Sequence, residues 1–215
     1  MKKLLMSVAA VATAVLMFTA CSEKKADVVN NFKIQRGTNV SHWLSQSEER
    51  GEARAMHIQE DDFARLDSLG FDFVRLPIDE VQFWDEQGNK LPEAWDLMIN
   101  AINWAEKHHL RTIVDLHIIR SHYFNAVNEG NADANTLFTS EKSQQDLINM
   151  WYQLSDVLKG YSNDSVAYEF MNEPVADDHV QCMKVKSESE VARSCPTLSD
   201  PMDCSLPGSS VNGIF

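Results

Sequence analysis

Between Phe32 and Phe170, short apolar runs alternate with longer stretches of helical period. This alternation predicts a parallel α/β sheet whose helices cross back over one face. The first strand is expected around residues 33–37 and runs into Thr38-Asn39-Val40-Ser41-His42-Trp43. A helix follows with Phe63, Leu66 and Leu69 on one face, and Gly70 is placed to stop it. Phe73-Val74-Arg75-Leu76 reads as the second strand, ended by Pro77. Past a Gly88-Asn89 turn, Trp95, Met98, Ile99, Ile102 and Ala105 recur at helical spacing, and Lys107, His108 and His109 close that helix, where positive charge suits the dipole. Thr112-Ile113-Val114-Asp115-Leu116 is the third strand. A long polar loop over 120–139 follows, of a length that points to function. The next helix begins near Ser140, buries Leu147, Met150, Trp151, Leu154 and Leu158, and stops at Gly160, before a fourth strand over residues 166–170.

Four strands with three intervening helices predict the N-terminal half of a TIM (β/α)8 barrel, strands one to four. The span is about 147 residues, against about 250 for a complete barrel. Composition supports an ordinary globular core, with 44% hydrophobic and 24% charged residues among 215. Net charge is −13, and Lys and Arg form no cluster beyond the first residues, so nucleic acid is not an expected partner. A neutral carbohydrate is compatible with such a surface.

The ends of the chain read differently. Lys2 and Lys3 precede an apolar run from Leu4 to Phe18, the pattern of a secretory signal that is too short for a membrane span. Phe18-Thr19-Ala20-Cys21 resembles a bacterial lipobox, which implies lipidation of Cys21 and an exported, membrane-anchored lipoprotein, periplasmic or at the cell surface. Residues 1–21 are then the signal peptide and 22–31 a linker. After Cys21 no cysteine occurs until Cys182, Cys195 and Cys204, whose spacings fit neither a disulfide framework nor a metal site. Periodicity is lost beyond His179, and residues 180–215 are expected to be an unrelated, disordered tail, rich in Ser and Pro. The stretch from Ser187 to Ser210, including Ser194-Cys195-Pro196-Thr197-Leu198-Ser199-Asp200-Pro201-Met202-Asp203-Cys204, resembles the translation of an interspersed repeat of ruminant genomes, which implies a chimeric sequence.

Catalytic groups of a parallel barrel sit at the C-terminal ends of its strands. Each expected strand here carries polar candidates at or near that end: Asn39, His42 and Trp43, then Arg75, then His117, then Asn172-Glu173-Pro174. Core packing alone does not account for such a series. His117 could instead be a buried, satisfied histidine, and Arg75 could neutralise Glu169 inside the barrel. Asp115, His117 and His122 could form a metal site, but none is expected. Trp43 and Trp84 are candidates for stacking on sugar rings, whereas Trp95, Trp104 and Trp151 fall at core spacing.

Arg36-Gly37-Thr38-Asn39, Arg75-Leu76-Pro77-Ile78, Asp115-Leu116-His117 and Tyr168-Glu169-Phe170-Met171-Asn172-Glu173-Pro174 together resemble the successive signatures of glycoside hydrolase family 5, the cellulases, over residues 32–179. The resemblance implies cleavage of β-linked polysaccharide, as by an endo-β-1,4-glucanase, a β-mannanase or a xyloglucanase, without a cofactor. It implies that Glu173 is the general acid/base, that Asn172 binds the sugar 2-hydroxyl, and that Arg75 and His117 orient the carboxylates. The family's nucleophile, a glutamate on the seventh strand, has no counterpart in this sequence. Retaining hydrolysis needs two carboxyls about 5–5.5 Å apart. Glu169 lies four residues before Glu173, roughly 13 Å along a strand, too far to serve. The chain is therefore expected to be truncated before its nucleophile and to turn over no substrate. The other reading is a non-catalytic surface lipoprotein that binds glycan.

Overall fold

A computed structural model of the protein describes residues 32–122 and 135–174. Its elements run β1 (Gly37–Asn39), α1 (Gly51–His57), α2 (Glu60–Ser68), β2 (Phe73–Asp79), α3 (Glu80–Phe83), α4 (Pro92–Lys107), β3 (Arg111–Ile118), α5 (Glu141–Leu158) and β4 (Val166–Glu169). The strands pair in chain order, each pair parallel. This is the predicted half-barrel arrangement.

Strand period sorts the side chains onto two faces. Val74, Leu76 and Ile78 of β2, Val114 and Leu116 of β3, and Val166 and Tyr168 of β4 are buried in the core cluster. The helices contribute Phe63, Trp95, Met98, Ile102, Leu147, Trp151 and Leu154 to the same cluster. The alternate positions carry Arg75, Asp115 and Glu169, which is the face that a closed barrel turns inward. Trp151 lies parallel to Phe170 with centroids 5.7 Å apart, and its Nε1 donates to the Phe170 carbonyl at 2.9 Å. That contact seats the end of the fourth strand against α5. Ser140 caps α5 as expected, accepting from the Ser143 amide at 3.3 Å.

Several expected boundaries move, each for a local reason. The first strand pairs only from Gly37, because the Gln35 and Arg36 amides donate to the Asp72 carboxylate, both at 2.8 Å. The second strand passes through Pro77 to Asp79 rather than ending there. The Arg75 carbonyl accepts from Val40, and the Asp79 amide donates to Leu44. By alternation the missing Pro77 N–H faces that same side, two residues beyond the last β1 pairing, where no ladder bond is required. Leu69 is not on the buried face but caps α2, 63% exposed. Gly70 supplies the turn after it with φ 78°. The helix over Gly51–His57 is an element the periodicity did not predict. The end of α4 is tied to α2 rather than merely solvated, since Lys107 and His108 both meet the Glu60 carboxylate.

Candidate active site

Arg75 is the centre of the inward face. Its Nε and Nη2 donate to the two oxygens of Glu169, both at 2.6 Å, and Nη2 also lies 2.8 Å from Asp115 Oδ2 and 3.0 Å from Asn172 Oδ1. Nη1 reaches Asn39 Oδ1 at 3.3 Å. The guanidinium therefore joins side chains of β1, β3 and β4 to its own strand, which a flexible ammonium could not do with one fixed fork. Burial works against its charge, but Glu169, Asp115 and Glu173 outweigh that and hold its pKa above the usual arginine value. Arg75 thus pairs with Glu169 on the inward face and at the same time contacts Asn172.

Asp115 is fully buried. Its Oδ2 is ion-paired with Arg75 and accepts from His117 Nδ1 at 2.7 Å, while Oδ1 has no hydrogen-bond partner among the described residues. Burial, with Glu169 adding to it, pushes the Asp115 carboxyl up to about 6, against the pull of His117 and Arg75. The unfolded value is about 3.9, so below that pH both states are protonated and the shift is without effect. As pH rises through the window from about 4 to about 6, the folded state holds the proton that the unfolded state loses, and stability falls. Wild type is accordingly expected to gain stability relative to Asp115→Asn as pH is lowered from 7 to 4. Urea midpoints of the two proteins that stay a constant distance apart over that range would contradict this.

His117 owes its aim to an irregularity. Ile78 pairs with Leu116 but Asp79 pairs with Ile118, so His117 is an extra residue on β3. A bulge re-aims the side chain it carries, and here the ring folds back onto Asp115, a partner from its own strand. Asn172 is fixed at both ends, its amide donating to the Leu116 carbonyl at 3.1 Å and its side-chain oxygen accepting from Arg75. Glu173 follows with an exposed side chain and a left-handed backbone, φ 41°. The structure thus brings Arg75, His117, Asn172 and Glu173 to one end of the sheet.

His42 and Trp43 do not join this group. His42 is exposed, with φ 56°, and its Nδ1 lies 3.3 Å from the Gln46 carbonyl. Trp43 is 0% exposed and its Nε1 donates to the Arg54 carbonyl at 2.7 Å. The expectation that it binds substrate by stacking is corrected: a ring enclosed on both faces has none to offer a sugar. The same holds for Trp84, buried against Trp95 at 5.3 Å and donating to Gln153. Strand-end position favoured Trp43, and only packing could rule out either tryptophan. Trp43→Ala is expected to act as a core truncation, costing about 3–5 kcal/mol of stability, as read from a urea midpoint. A variant that keeps wild-type stability and loses only glycan affinity would restore the stacking role.

Two contributors escaped the sequence reading. Asp79, buried at the end of β2, accepts from the Gln46 amide at 2.6 Å and so pins the turn that carries His42. Burial raises its pKa, against the Gln46 bond. It shares the parity of Arg75 along the strand, a signal that Pro77 obscured. His122, considered only as a metal ligand, instead has Nδ1 at 2.9 Å from Asn135 Oδ1 and Nε2 at 3.0 Å from the Glu173 carbonyl. Cys21 with its signal segment and the tail over residues 180–215 lie outside the described residues.

Comparison with known proteins agrees with the fold. The sequence model of cellulase (glycosyl hydrolase family 5) matches residues 25–194. Cellodextrinase A of Ruminococcus flavefaciens is 24% identical over 140 residues, covering 65% of this chain and 40% of the relative. Endoglucanase C of Acetivibrio thermocellus is 27% identical over 160 residues, covering 71% and 43%. The crystal structure of endoglucanase Cel5A from Thermotoga maritima superposes with a TM-score of 0.58 at 22% identity, covering 77% of this chain and 49% of that one. The chain thus spans about two fifths of the length of these curated relatives.

Proposed function

The chain belongs to the cellulase family, glycosyl hydrolase family 5, and on that premise we propose that it carries the acid/base half of a retaining endo-β-1,4-glucanase site. What supports this is the placement of Glu173, an exposed carboxyl directly after an Asn172 that Arg75 holds in position. In the first step Glu173 donates its proton to the glycosidic oxygen as the bond to the anomeric carbon breaks, and a second carboxylate attacks that carbon. In the second step Glu173 takes a proton from the water that releases the sugar. Asn172 presents its side-chain amide to the sugar 2-hydroxyl while its oxygen stays on Arg75. Among the described residues of this face, Asp115 and Glu169 are both paired with Arg75, and Asp79 is buried and accepts from the Gln46 amide. Glu169, held bidentate by the arginine, is a poor nucleophile because its lone pairs are engaged, and Asp115 is wholly buried, out of reach of a sugar.

The 215-residue chain alone is therefore expected to bind β-1,4-linked glucan oligosaccharides without cleaving them. Reducing-end release from cellotetraose, with affinity measured by calorimetry in parallel, tests this. Turnover that disappears in Glu173→Gln would show that the chain already holds two working carboxylates, and absence of binding to glucan, mannan and xyloglucan alike would remove the carbohydrate reading. The export signal implies that Cys21 becomes a lipidated N-terminus, giving a membrane-anchored enzyme facing external polysaccharide. Labelled palmitate is expected to enter the protein in a bacterial host and to be absent from Cys21→Ser. Equal labelling of both would reject the anchor.

A further inference from the structure

We propose that His122 is a positioning residue that sets the direction of the Glu173 carboxyl by holding the backbone carbonyl of that same residue. The proposal rests on the reading of Glu173 as the acid/base and adds to it the group that orients it. Glu173 has a left-handed backbone, φ 41°. That conformation costs a residue with a Cβ about 1–2 kcal/mol and persists only where its surroundings over-determine it. Three restraints meet there. On the N-terminal side, Asn172 is fixed by Leu116 and Arg75. On the C-terminal side, Pro174 disfavours the right-handed α region for the residue before it. The third restraint is His122 Nε2, 3.0 Å from the Glu173 carbonyl oxygen.

A carbonyl can only accept, so Nε2 carries the hydrogen. Nδ1 lies 2.9 Å from the side-chain oxygen of Asn135, an amide that can present either its oxygen or its N–H to the ring. The bond to Glu173 is the same in either orientation. The ring itself has little freedom, being 5% exposed and set edge-on to Phe138 at 5.5 Å. The backbone that carries it is anchored on both sides. Arg120 donates to both oxygens of Glu80 at 2.7 and 2.6 Å, and the Leu137 amide donates to the Ser121 carbonyl at 3.0 Å. The segments 119–122 and 135–138 thus form a bracket across the ends of β3 and β4, and His122 transmits its rigidity to the residue that must deliver a proton. A histidine that merely fills space would not need a donor aimed at a strained carbonyl.

The test is made on the full 215-residue chain by NMR, reading the Glu173 Cα and Cβ shifts, which report a left-handed backbone, in wild type, His122→Leu and His122→Gln. The Glu173 signals should leave their left-handed values in His122→Leu and return to them in His122→Gln, whose amide N–H can reach the same carbonyl. Unchanged Glu173 shifts in His122→Leu would overturn the proposal. Should that variant fail to fold, the wild-type ring decides. A slowly exchanging Nε2–H with a scalar coupling to the Glu173 carbonyl carbon supports it, and a rapidly exchanging ring N–H without that coupling overturns it. None of these readouts involves turnover, so a failure here is distinct from a failure of Glu173 as the acid/base, which the hydrolysis assays detect.

Discussion

Replacing Arg75 with methionine should cost the fold about 3–5 kcal/mol at neutral pH, the range for breaking a buried ion pair by removing one partner. The reason is what the substitution leaves behind. Asp115 is wholly buried, and among the described residues its Oδ1 already lacks a partner and, without Arg75, His117 alone would pair with it. Glu169 is more than a third exposed and can recover solvent, so it contributes less to the loss. The penalty must depend on pH, with a definite sign. Asp115 in the folded wild type titrates at about 6, and loss of the cation raises it further. Below about pH 4 the carboxyl is neutral in folded and unfolded chains alike, so the Asp115 share of the loss vanishes. As pH rises the charged form must be buried without its partner, and the loss grows. Urea unfolding at pH 4.5 and pH 7.5 should therefore show the variant much closer to wild type at the lower pH. Equal losses at both would mean that Arg75 stabilises the sheet by packing alone. Arg75→Lys should fall between the two, since it restores charge but not the fork that spans Glu169, Asp115 and Asn172.

Glu173→Gln should lower kcat on cellotetraose by about 10²–10⁴-fold, the usual contribution of general acid–base catalysis. On the proposed reading that the chain carries the acid/base half of the site, the measurement is made on the chain joined to strands that complete a barrel and supply a second carboxylate. A glutamine keeps the size and polarity of the side chain but has no proton to give the leaving oxygen. An aryl cellobioside whose phenolate leaves without protonation should lose far less in the first step, and the covalent intermediate should accumulate because no base activates water. A loss of the same size on both substrates would assign Glu173 a binding role instead.

The sequence by itself determined the layering. The apolar run Phe73-Val74-Arg75-Leu76 and the helical stripe Leu147, Met150, Trp151, Leu154 and Leu158 required a parallel sheet packed on helices, and the structure buries Val74, Leu76 and the whole stripe. It also determined the neighbourhood of the site, because parallel strands put their C-terminal ends on one side, so Asn172-Glu173 and His117 had to meet. Tertiary structure alone decided the rest. Whether Trp43 was a platform or a core residue depended on what covered its two faces, which no local pattern encodes. Pro77 was read as an end because its lost N–H matters within a sheet; it is tolerated because β1 has already ended beside it. His117 and Asp115 share a parity, but their hydrogen bond depends on a bulge that only the neighbouring register creates. His122 and Glu173 are separated by 51 positions in sequence, and no periodicity links a loop histidine to a strand-end carbonyl. Period and burial are local in origin and legible; contacts between loop groups are made only when the sheet brings their ends together.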